Sequence, residues 1–305
     1  MKLNGEFIKE CRSFLKPEQV MLDEPMKLHT TFEIGGPADA LIFPSSVDEV
    51  AKVISLANEY EIPLTILGNG SNVLVRDKGI RGVVVKFNGP MSGIRREGNR
   101  IIAGAGALLK DISAFAAEQS LTGLEYACGI PGSIGGAIFM NAGAYDGETK
   151  NVAAGVTAVT LKGEVRHYAK DELDLGYRHS VFQENKDVIC EVELDLVPGD
   201  KSAIDAKIAD FTERRERKQP LEMPSAGSTF KRPKGYFAGT LIDQTGLKGL
   251  TVGHAQVSTK HAGFVVNMGG ATAADVLGVI HEVQDRVFAK HGVMLHPELR
   301  IIGEE

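Results

Sequence analysis

The sequence predicts an α+β fold in two domains, and three observations support this prediction. A chain of 305 residues is long enough for two domains of ordinary size, with one large or three small domains as the alternatives. The first part alternates short apolar segments with helical patterns, which also allows local βαβ units, and residues 188–196 (VICEVELDL) alternate as a half-buried strand does. The last third carries two helical patterns. We place the domain boundary near residue 200, after the turn signal Pro198-Gly199-Asp200.

The elements of the first domain follow from one helix cap and several apolar runs. Ser46 and Glu49 form a capping-box pattern, and Val50, Val53 and Ile54 continue it at helical spacing. The other predicted elements are strands at 63–67, 83–87 and 100–104 and a helix at 108–119.

The last third contains the longest helical patterns of the chain. Residues 202–218 predict one helix, which ends in the basic run before Pro220. Thr272 and Asp275 cap a second helix, and Gly292 ends it. The segment that contains HPELRII then predicts a terminal strand.

The composition is that of a globular protein without an obvious nucleic-acid surface. Hydrophobic residues make up 43% and charged residues 24%, and the net charge is −6. The only basic block is 214–218, so we expect no nucleic-acid partner. There is no apolar run of about 18 residues and no signal-peptide pattern at the start, so we expect neither membrane insertion nor secretion.

The cysteines indicate a reducing compartment. Cys11, Cys128 and Cys190 are odd in number and far apart, and none forms a CxxC pair. We therefore expect no disulfide and no zinc site, and the eight histidines show no metal-ligand spacing. The predicted location is the cytoplasm.

Residues 128–148 (CGIPGSIGGAIFMNAGAYDGE) contain six glycines and no charged residue before Asp146. Two interpretations compete. One is a buried structural turn, and the other is a cradle in which backbone N–H groups come close to a phosphate, since glycine has no Cβ to prevent it.

The familiar nucleotide-binding motifs are absent. The sequence has no Gly-Lys pair for a Walker loop, no complete GxGxxG, no HExxH and no GxSxG. A single glycine loop is more often a turn than a ligand site, but glycine loops also occur at 68–72 and 104–106. With three such loops, a structural turn and a diphosphate cradle stand as equal alternatives.

The order of the short motifs is more specific than any one of them. They lie at 31–36 (TFEIGG), 68–75 (GNGSNVLV), 129–136 (GIPGSIGG), 141–145 (NAGAY), 177–182 (YRHSVF), 227–233 (GSTFKRP) and 296–303 (HPELRIIG). In this order the sequence resembles the bacterial UDP-N-acetylenolpyruvoylglucosamine reductase family, over nearly the whole chain. Only 31 residues separate Tyr145 from Tyr177, which resembles the shorter, type II class of that family.

The resemblance implies a fold and a cofactor. It implies an N-terminal helical segment at 1–24, an FAD-binding domain of the PCMH or vanillyl-alcohol-oxidase type at 25–200, made of two α+β subdomains, and a C-terminal α+β substrate-binding domain at 201–305. The flavin is expected to be bound non-covalently. The expected FAD-binding residues are Gly68, Asn69, Gly70, Ser71, Asn72, Gly129, Ile130, Pro131, Gly132, Ser133, Gly136, Gly143, Ala144 and Arg300.

The implied reaction belongs to peptidoglycan precursor synthesis. The enolpyruvyl ether of a UDP-sugar is reduced to a lactyl ether, with NADPH as co-substrate and hydride passing through FAD to the β-carbon. Such a step needs stabilisation of an enolate-like charge and a proton donor for the α-carbon. The oligomeric state is left open.

The resemblance assigns three catalytic residues. Ser228 matches the proton donor, Arg178 the cation that holds the substrate carboxylate, and Glu298 an acidic residue that holds or relays a proton. Taken alone, each has an ordinary explanation: a turn serine, a solvated arginine and a surface ion pair with Arg300.

Four further residues match substrate- or NADPH-binding positions. They are Tyr177, Lys218, Lys231 and His261, and no metal ligand is expected. A half-buried tyrosine, two solvated lysines and a structural histidine are the alternatives.

Two other functions compete with the reductase. One is a flavin- or nucleotide-binding module without catalysis, which the joint presence of Arg178, Ser228 and Glu298 disfavours. The other is a PCMH-type oxidase, which the 227–233 and 296–303 motifs disfavour.

Overall fold

A computed structural model describes residues 4–305, and it divides the chain into two compact units. Unit 1 comprises Met1–Leu22 (described from Asn4), Ala40–Asn69 and Gly82–Arg215. Unit 2 comprises Asp23–Asp39, Gly70–Arg81 and Glu216–Glu305. Residues 1–3 of the predicted N-terminal helical segment lie outside the described residues.

Within the described residues, most strand pairs are antiparallel and the strands occur in runs between helices, as in an α+β fold. The helices are α1 Gly5–Phe14, α2 Val47–Glu59, α3 Leu109–Glu118, α4 Ile134–Met140, α5 Thr149–Val152, α6 Phe182–Asn185, α7 Lys201–Lys218, α8 Ala238–Gln244 and α9 Ala273–His291. The strands are β1 Val20–Pro25, β2 Pro37–Ile42, β3 Leu64–Leu67, β4 Val73–Val75, β5 Ile80–Lys86, β6 Ile94–Glu97, β7 Arg100–Gly104, β8 Leu121–Thr122, β9 Gly143–Ala144, β10 Gly147–Glu148, β11 Ala153–Val159, β12 Val165–Ala169, β13 Val188–Asp195, β14 Val197–Pro198, β15 Ser225–Ser228, β16 Thr251–Val252, β17 Ala255–Val257, β18 Phe264–Asn267 and β19 Arg300–Ile302.

Two main sheets lie in the first two thirds of the chain. One has the strand order β1-β2-β5-β3, in which β3 runs parallel to β5 with Leu67 opposite Lys86. The other is antiparallel, with the order β12-β11-β13-β7-β6. This arrangement supports the prediction of two α+β subdomains.

Helix α2 confirms the predicted helix, but its predicted capping box is only half formed. Val50, Val53 and Ile54 are fully buried on one face, and each such side chain contributes about 1.5–3 kcal/mol on burial. The hydroxyl of Ser46 accepts from the Glu49 N–H at 3.2 Å, as predicted. The carboxylate of Glu49, however, accepts from the Ser45 N–H at 2.6 Å, so the reciprocal half of a capping box with Ser46 does not form.

Strand β13 follows the predicted alternation. Val192 and Leu194 are fully buried, whereas Glu191 and Asp195 lie on the opposite face. There Arg95 forms an ion pair with Glu191 at 2.5 Å. The apolar face therefore builds the core of unit 1, and the acidic face is neutralised by arginine.

Unit 2 is built on an antiparallel sheet in the order β15-β18-β17-β16, together with helices α8 and α9. Helix α9 confirms its predicted capping box at Thr272 and Asp275, and Gly292 ends it at φ +68°. The carboxylate of Asp77 accepts from the Ala273 N–H at 2.7 Å and satisfies one more free N–H of the first turn.

The predicted terminal strand is shorter than expected, because β19 begins only at Arg300 and pairs in parallel with β4. The compact units also differ from the predicted limits 25–200 and 201–305, since residues 201–215 of α7 group with unit 1 and residues 25–39 with unit 2. The limits 25–200 and 201–305 stay a prediction for the FAD-binding and substrate-binding domains. Among residues 4–305, no helix combines the length and the apolar character that crossing a membrane requires.

Candidate active site

The glycine-rich segment 129–136 is held against the residues that follow β7. The carbonyl oxygen of Gly132 accepts from the Leu109 N–H at 2.9 Å, and the Ile134 N–H donates to the Ala107 carbonyl at 2.8 Å. The segment is not one continuous loop, because helix α4 starts at Ile134. A Cβ on Gly135 would lie 3.0 Å from the Cβ of Ala105, so this glycine allows the close approach.

Gly68 and Ser133 bring two predicted cofactor loops together in unit 1. A Cβ added to Gly68 would overlap the Ser133 hydroxyl. Asn69 Nδ2 donates to the Pro131 carbonyl at 2.5 Å. The Ser133 Oγ is buried and has no hydrogen-bond partner among residues 4–305. We call residues 68–69 together with 129–136 the glycine cradle.

The remaining part of the first glycine loop lies in unit 2. Gly70 adopts φ +69°, and its carbonyl oxygen accepts from the Thr31 N–H at 3.2 Å. The backbone N–H of Arg300 donates to the carbonyl oxygen of Asn72 at 2.9 Å. Within this unit the structure therefore brings the loop Gly70-Ser71-Asn72 next to Arg300, as the assignment of both to one ligand requires.

Helix α7 covers part of the glycine-rich segment, which the sequence did not reveal. A Cβ on Gly129 would lie 2.6 Å from the Cδ of Arg215, and burial lowers the pKa of this guanidinium. The Tyr145 ring stacks on Phe211 with centroids 4.4 Å apart. Tyr145 follows Gly143 and Ala144 in the β9–β10 hairpin. The basic run at the end of α7 was the available signal for Arg215.

Tyr177 and Arg178 form the tip of a tight turn in unit 1. Gly176 and His179 exchange two backbone hydrogen bonds, each of 3.2 Å. Arg178 occupies the left-handed region at φ +54°, which is uncommon for a residue other than glycine. Tyr177 is 67% exposed, and the Arg178 side chain is half-buried. The turn thus presents both predicted residues side by side.

Ser228 and Glu298 come close through their backbones in unit 2. The Glu298 N–H donates to the carbonyl oxygen of Thr229 at 2.8 Å, and the Lys231 N–H donates to the His296 carbonyl at 2.8 Å. Ser228 is exposed and Glu298 is half-buried. Two motifs that are distant in sequence therefore lie side by side.

The other two predicted contacts in unit 2 differ in character. His261 is half-buried, and its Nδ1 accepts from the Gly263 N–H at 3.1 Å while its ring packs edge-on against Phe264. Burial, with Lys248 and Lys218 nearby, lowers the pKa of His261. These contacts favour a structural, neutral histidine. Lys218 is exposed at the end of α7.

One group of possible metal ligands was not expected from the sequence. Asp174, His179 and Glu184 offer ligand atoms within 4.8 Å of one another. His179 Nε2 lies 3.0 Å from Asp174 and 3.7 Å from Glu184, and both carboxylates are exposed. The five-residue spacing of these side chains is not that of a common metal-binding motif such as HExxH. A surface hydrogen bond between the His179 ring and the Asp174 carboxylate accounts for the group.

Comparisons with known proteins identify relatives of both parts of the chain. A family model described as an FAD binding domain matches residues 38–169, and one for the C-terminal domain of UDP-N-acetylenolpyruvoylglucosamine reductase matches residues 219–302. The UDP-N-acetylenolpyruvoylglucosamine reductase of Clostridium perfringens (strain SM101) is 52% identical over 300 residues, 98% of each chain. That of Geobacillus thermodenitrificans is 54% identical over 288 residues, 94% of each chain.

A solved structure is similar over nearly the same length. The crystal structure of UDP-N-acetylenolpyruvylglucosamine reductase from Thermus caldophilus superimposes with a TM-score of 0.81 at 36% identity, covering 93% of this chain and 98% of that one. The fold and these relatives thus define an FAD-containing oxidoreductase with a separate C-terminal α+β domain, as the predicted fold class stated. The chain belongs to the UDP-N-acetylenolpyruvoylglucosamine reductase family.

Proposed function

We propose that this protein reduces UDP-N-acetylglucosamine enolpyruvate to UDP-N-acetylmuramate, with FAD as its cofactor and NADPH as co-substrate. The observation that carries the proposal is 52% identity, over 98% of both chains, to a reductase of that name. The reaction adds one hydride to the β-carbon and one proton to the α-carbon of the enolpyruvyl group. Its place in metabolism is peptidoglycan precursor synthesis.

The residues of the glycine cradle fit a flavin dinucleotide. Gly68 has no Cβ, which lets the Ser133 hydroxyl pack against it, and this buried hydroxyl has no hydrogen-bond partner among residues 4–305. Bare backbone of this kind lets N–H groups approach diphosphate oxygens. When bound, FAD would supply the hydride-transfer chemistry that links NADPH to the substrate. The proposed FAD-binding residues are Gly68, Asn69, Gly70, Ser71, Asn72, Gly129, Ile130, Pro131, Gly132, Ser133, Gly136, Gly143, Ala144 and Arg300.

Ser228 is the proposed proton donor. As hydride reaches the β-carbon, negative charge develops on the α-carbon and its carboxylate. The Ser228 hydroxyl transfers its proton to the α-carbon, and a solvent proton replaces it. The exposed position of Ser228 after Gly227 at φ +74° leaves this hydroxyl accessible.

Arg178 is proposed to stabilise the negative charge that develops on the substrate, and Glu298 to hold or relay a proton. A guanidinium holds a carboxylate through two parallel hydrogen bonds and stabilises it as the enolate forms. Arg178 has this capacity at the tip of its turn. Glu298 is proposed to hold or relay the proton of Ser228, which its backbone bond to Thr229 supports.

The substrate and NADPH carry phosphates that need cations. Lys218 and Lys231 are exposed and are proposed to bind these groups. Tyr177 and His261 are proposed to position the substrate, although the contacts of His261 make it the weakest of the four. We further propose a cytoplasmic location, which the three free cysteines support.

An absorbance spectrum of the purified protein tests the proposal. The protein should bind FAD, lose the visible flavin absorbance on addition of NADPH without oxygen, and regain it on addition of the enolpyruvyl substrate. Failure to bind FAD would refute the proposal. Reduction by NADPH without reoxidation by substrate would leave a flavin-binding module, and oxygen-dependent turnover without NADPH would indicate an oxidase.

A further inference from the structure

The turn that carries Arg178 is held in an uncommon conformation by side chains outside the predicted site. Arg178 has φ +54°, and a residue with a Cβ stays in this region only where its surroundings hold it. The two backbone bonds between Gly176 and His179 close the turn but do not attach it to the rest of unit 1. The question is which contacts decide where the guanidinium lies.

Gln183 attaches one side of the turn. Its Nε2 donates to the carbonyl oxygen of Arg178 at 2.9 Å and to the carbonyl oxygen of Phe139 at 2.8 Å. Phe139 lies in the last turn of α4, where carbonyl groups lack partners within the helix. The buried Ser180 hydroxyl donates to the same Phe139 carbonyl at 2.9 Å.

Asn141 attaches the other side. It ends α4 in the left-handed region at φ +42° and is 3% exposed. Its Nδ2 donates to the Gly176 carbonyl at 2.9 Å and to the Glu148 carboxylate at 2.7 Å, and its Oδ1 accepts from the Lys150 N–H at 2.9 Å. Both the Nδ2 group and the Oδ1 atom of the Asn141 amide therefore form hydrogen bonds.

Both attachments reach the same end of one short helix. Helix α4 spans seven residues, or about 10 Å at 1.5 Å per residue, and its opposite end follows Ser133 in the glycine cradle. The glycine cradle therefore lies at the N-terminal end of α4, and the Arg178 turn is fastened to its C-terminal end.

We propose that Gln183 and Asn141 are positioning residues, which set the place of Arg178 by fastening its turn to the C-terminal end of α4. The inference rests on the proposed role of Arg178 with the substrate carboxylate. Without the Gln183 amide, the Arg178 carbonyl loses its donor and the turn leaves the left-handed conformation more often. The Arg178 guanidinium then contacts the substrate carboxylate less often. Hydride transfer from NADPH does not depend on this contact.

Gln183→Met tests the proposal, since it keeps the length of the half-buried side chain and removes its donor. Gln284→Met is the matched control, because Gln284 is also half-buried and donates its Nε2 to a single backbone carbonyl, that of Leu295, at 2.8 Å. Both holoenzymes should keep their flavin and their melting temperature within a few degrees. Hydrogen exchange should increase over residues 173–182 in Gln183→Met alone.

Stopped-flow kinetics separates the two half-reactions. In Gln183→Met, reduction of the flavin by NADPH should stay within about twofold, whereas reoxidation by the enolpyruvyl substrate should slow about tenfold, as loss of two hydrogen bonds implies. Gln183→Glu, which places a carboxylate against two carbonyls, should be slower still.

Arg178→Met, measured in the same way, separates the failure modes. If it slows reoxidation and Gln183→Met does not, the positioning role is wrong while the role of Arg178 stands. If Arg178→Met itself leaves reoxidation unchanged, the proposed function of Arg178 is wrong, and this inference falls with it. Equal slowing of both half-reactions in Gln183→Met, or an equal effect in Gln284→Met, also overturns the inference.

Discussion

The backbone N–H of Glu298 donates to the carbonyl oxygen of Thr229 at 2.8 Å, one residue after Ser228. Strand β15 ends at Ser228, and the segment before β19 lies beside it through a bridge between Phe230 and Pro297. The segments that carry the Ser228 hydroxyl and the Glu298 carboxyl are far apart in the chain, but their backbones are hydrogen-bonded to each other. This arrangement makes the proton-donor assignment directly testable.

Ser228→Ala should separate hydride transfer from protonation. We expect the variant to accept hydride from NADPH at the normal rate but to reduce the enolpyruvyl substrate about 10²–10⁴-fold more slowly, because the α-carbon loses its acid. Stopped-flow absorbance measures both steps. Ser13→Ala is the control, since Ser13 is exposed and its hydroxyl only donates to the Glu10 carbonyl at 2.7 Å. Unchanged turnover in Ser228→Ala would mean that another group donates the proton.

Gly68→Ala should weaken FAD binding through one contact. The added methyl group overlaps the Ser133 hydroxyl, and overpacking of this kind costs about 1–3 kcal/mol. We expect a lower flavin content after purification and an FAD dissociation constant raised about tenfold or more, by fluorescence titration. Ser133→Gly in the same chain should restore part of the affinity.

Gly93→Ala serves as the control for the cradle. A Cβ at Gly93 would have nothing within 4 Å, and its φ of −60° suits any residue. Its flavin content should equal that of the parent. Equal FAD affinity in Gly68→Ala and Gly93→Ala would show that the Gly68–Ser133 contact does not belong to the cofactor site.

Lys86 should make stability depend on pH in the alkaline range. Burial lowers the pKa of Lys86 from 10.5 to about 8 in the folded chain. Between these values the unfolded chain binds more protons, so the free energy of unfolding rises with pH. Below about pH 8 both states are charged, and the full cost of burying the charge is present.

Lys86→Met removes this pH dependence. Relative to the parent, the variant should gain stability at pH 7, by about 1–2 kcal/mol after allowance for partial exposure, and lose the advantage as the pH rises through 8 toward 10. Urea denaturation at several pH values measures the difference, with the exposed Lys162→Met as control. A difference that stays constant from pH 7 to 10 would contradict the assignment.

The three thiols should differ in reactivity. Cys11 and Cys190 are buried, and burial is the main cause that raises the pKa of each to about 12, so neither supplies thiolate at pH 8. Cys128 is half-buried. We expect a disulfide reagent to modify one thiol in the native protein and all three in guanidinium, and Cys128→Ser to leave no native reaction. Rapid native modification of Cys11 or Cys190 would be inconsistent with the described core.

Patterns that depend on neighbouring residues were predicted well. The capped helix α9, the buried face of α2 and the alternation in β13 follow from local periodicity, and each is confirmed. Helix α4 was missed because Gly135 and Gly136 in its first turn predict a loop. Its stability comes from bonds to Ala105 and Ala107, which are far enough away in sequence to leave no local pattern.

The sequence by itself determined the order of motifs, the types of residue available for the chemistry and the helices and strands whose periodicity is strong. Only the tertiary structure decided that Thr229 receives the Glu298 N–H, that the Ser133 hydroxyl faces Gly68, and that Gln183 holds the carbonyl of a left-handed Arg178. The physical reason is that caps and periodicity act within one or two turns of chain. Hydrogen bonds between distant segments depend on how the whole core packs, which no local pattern encodes.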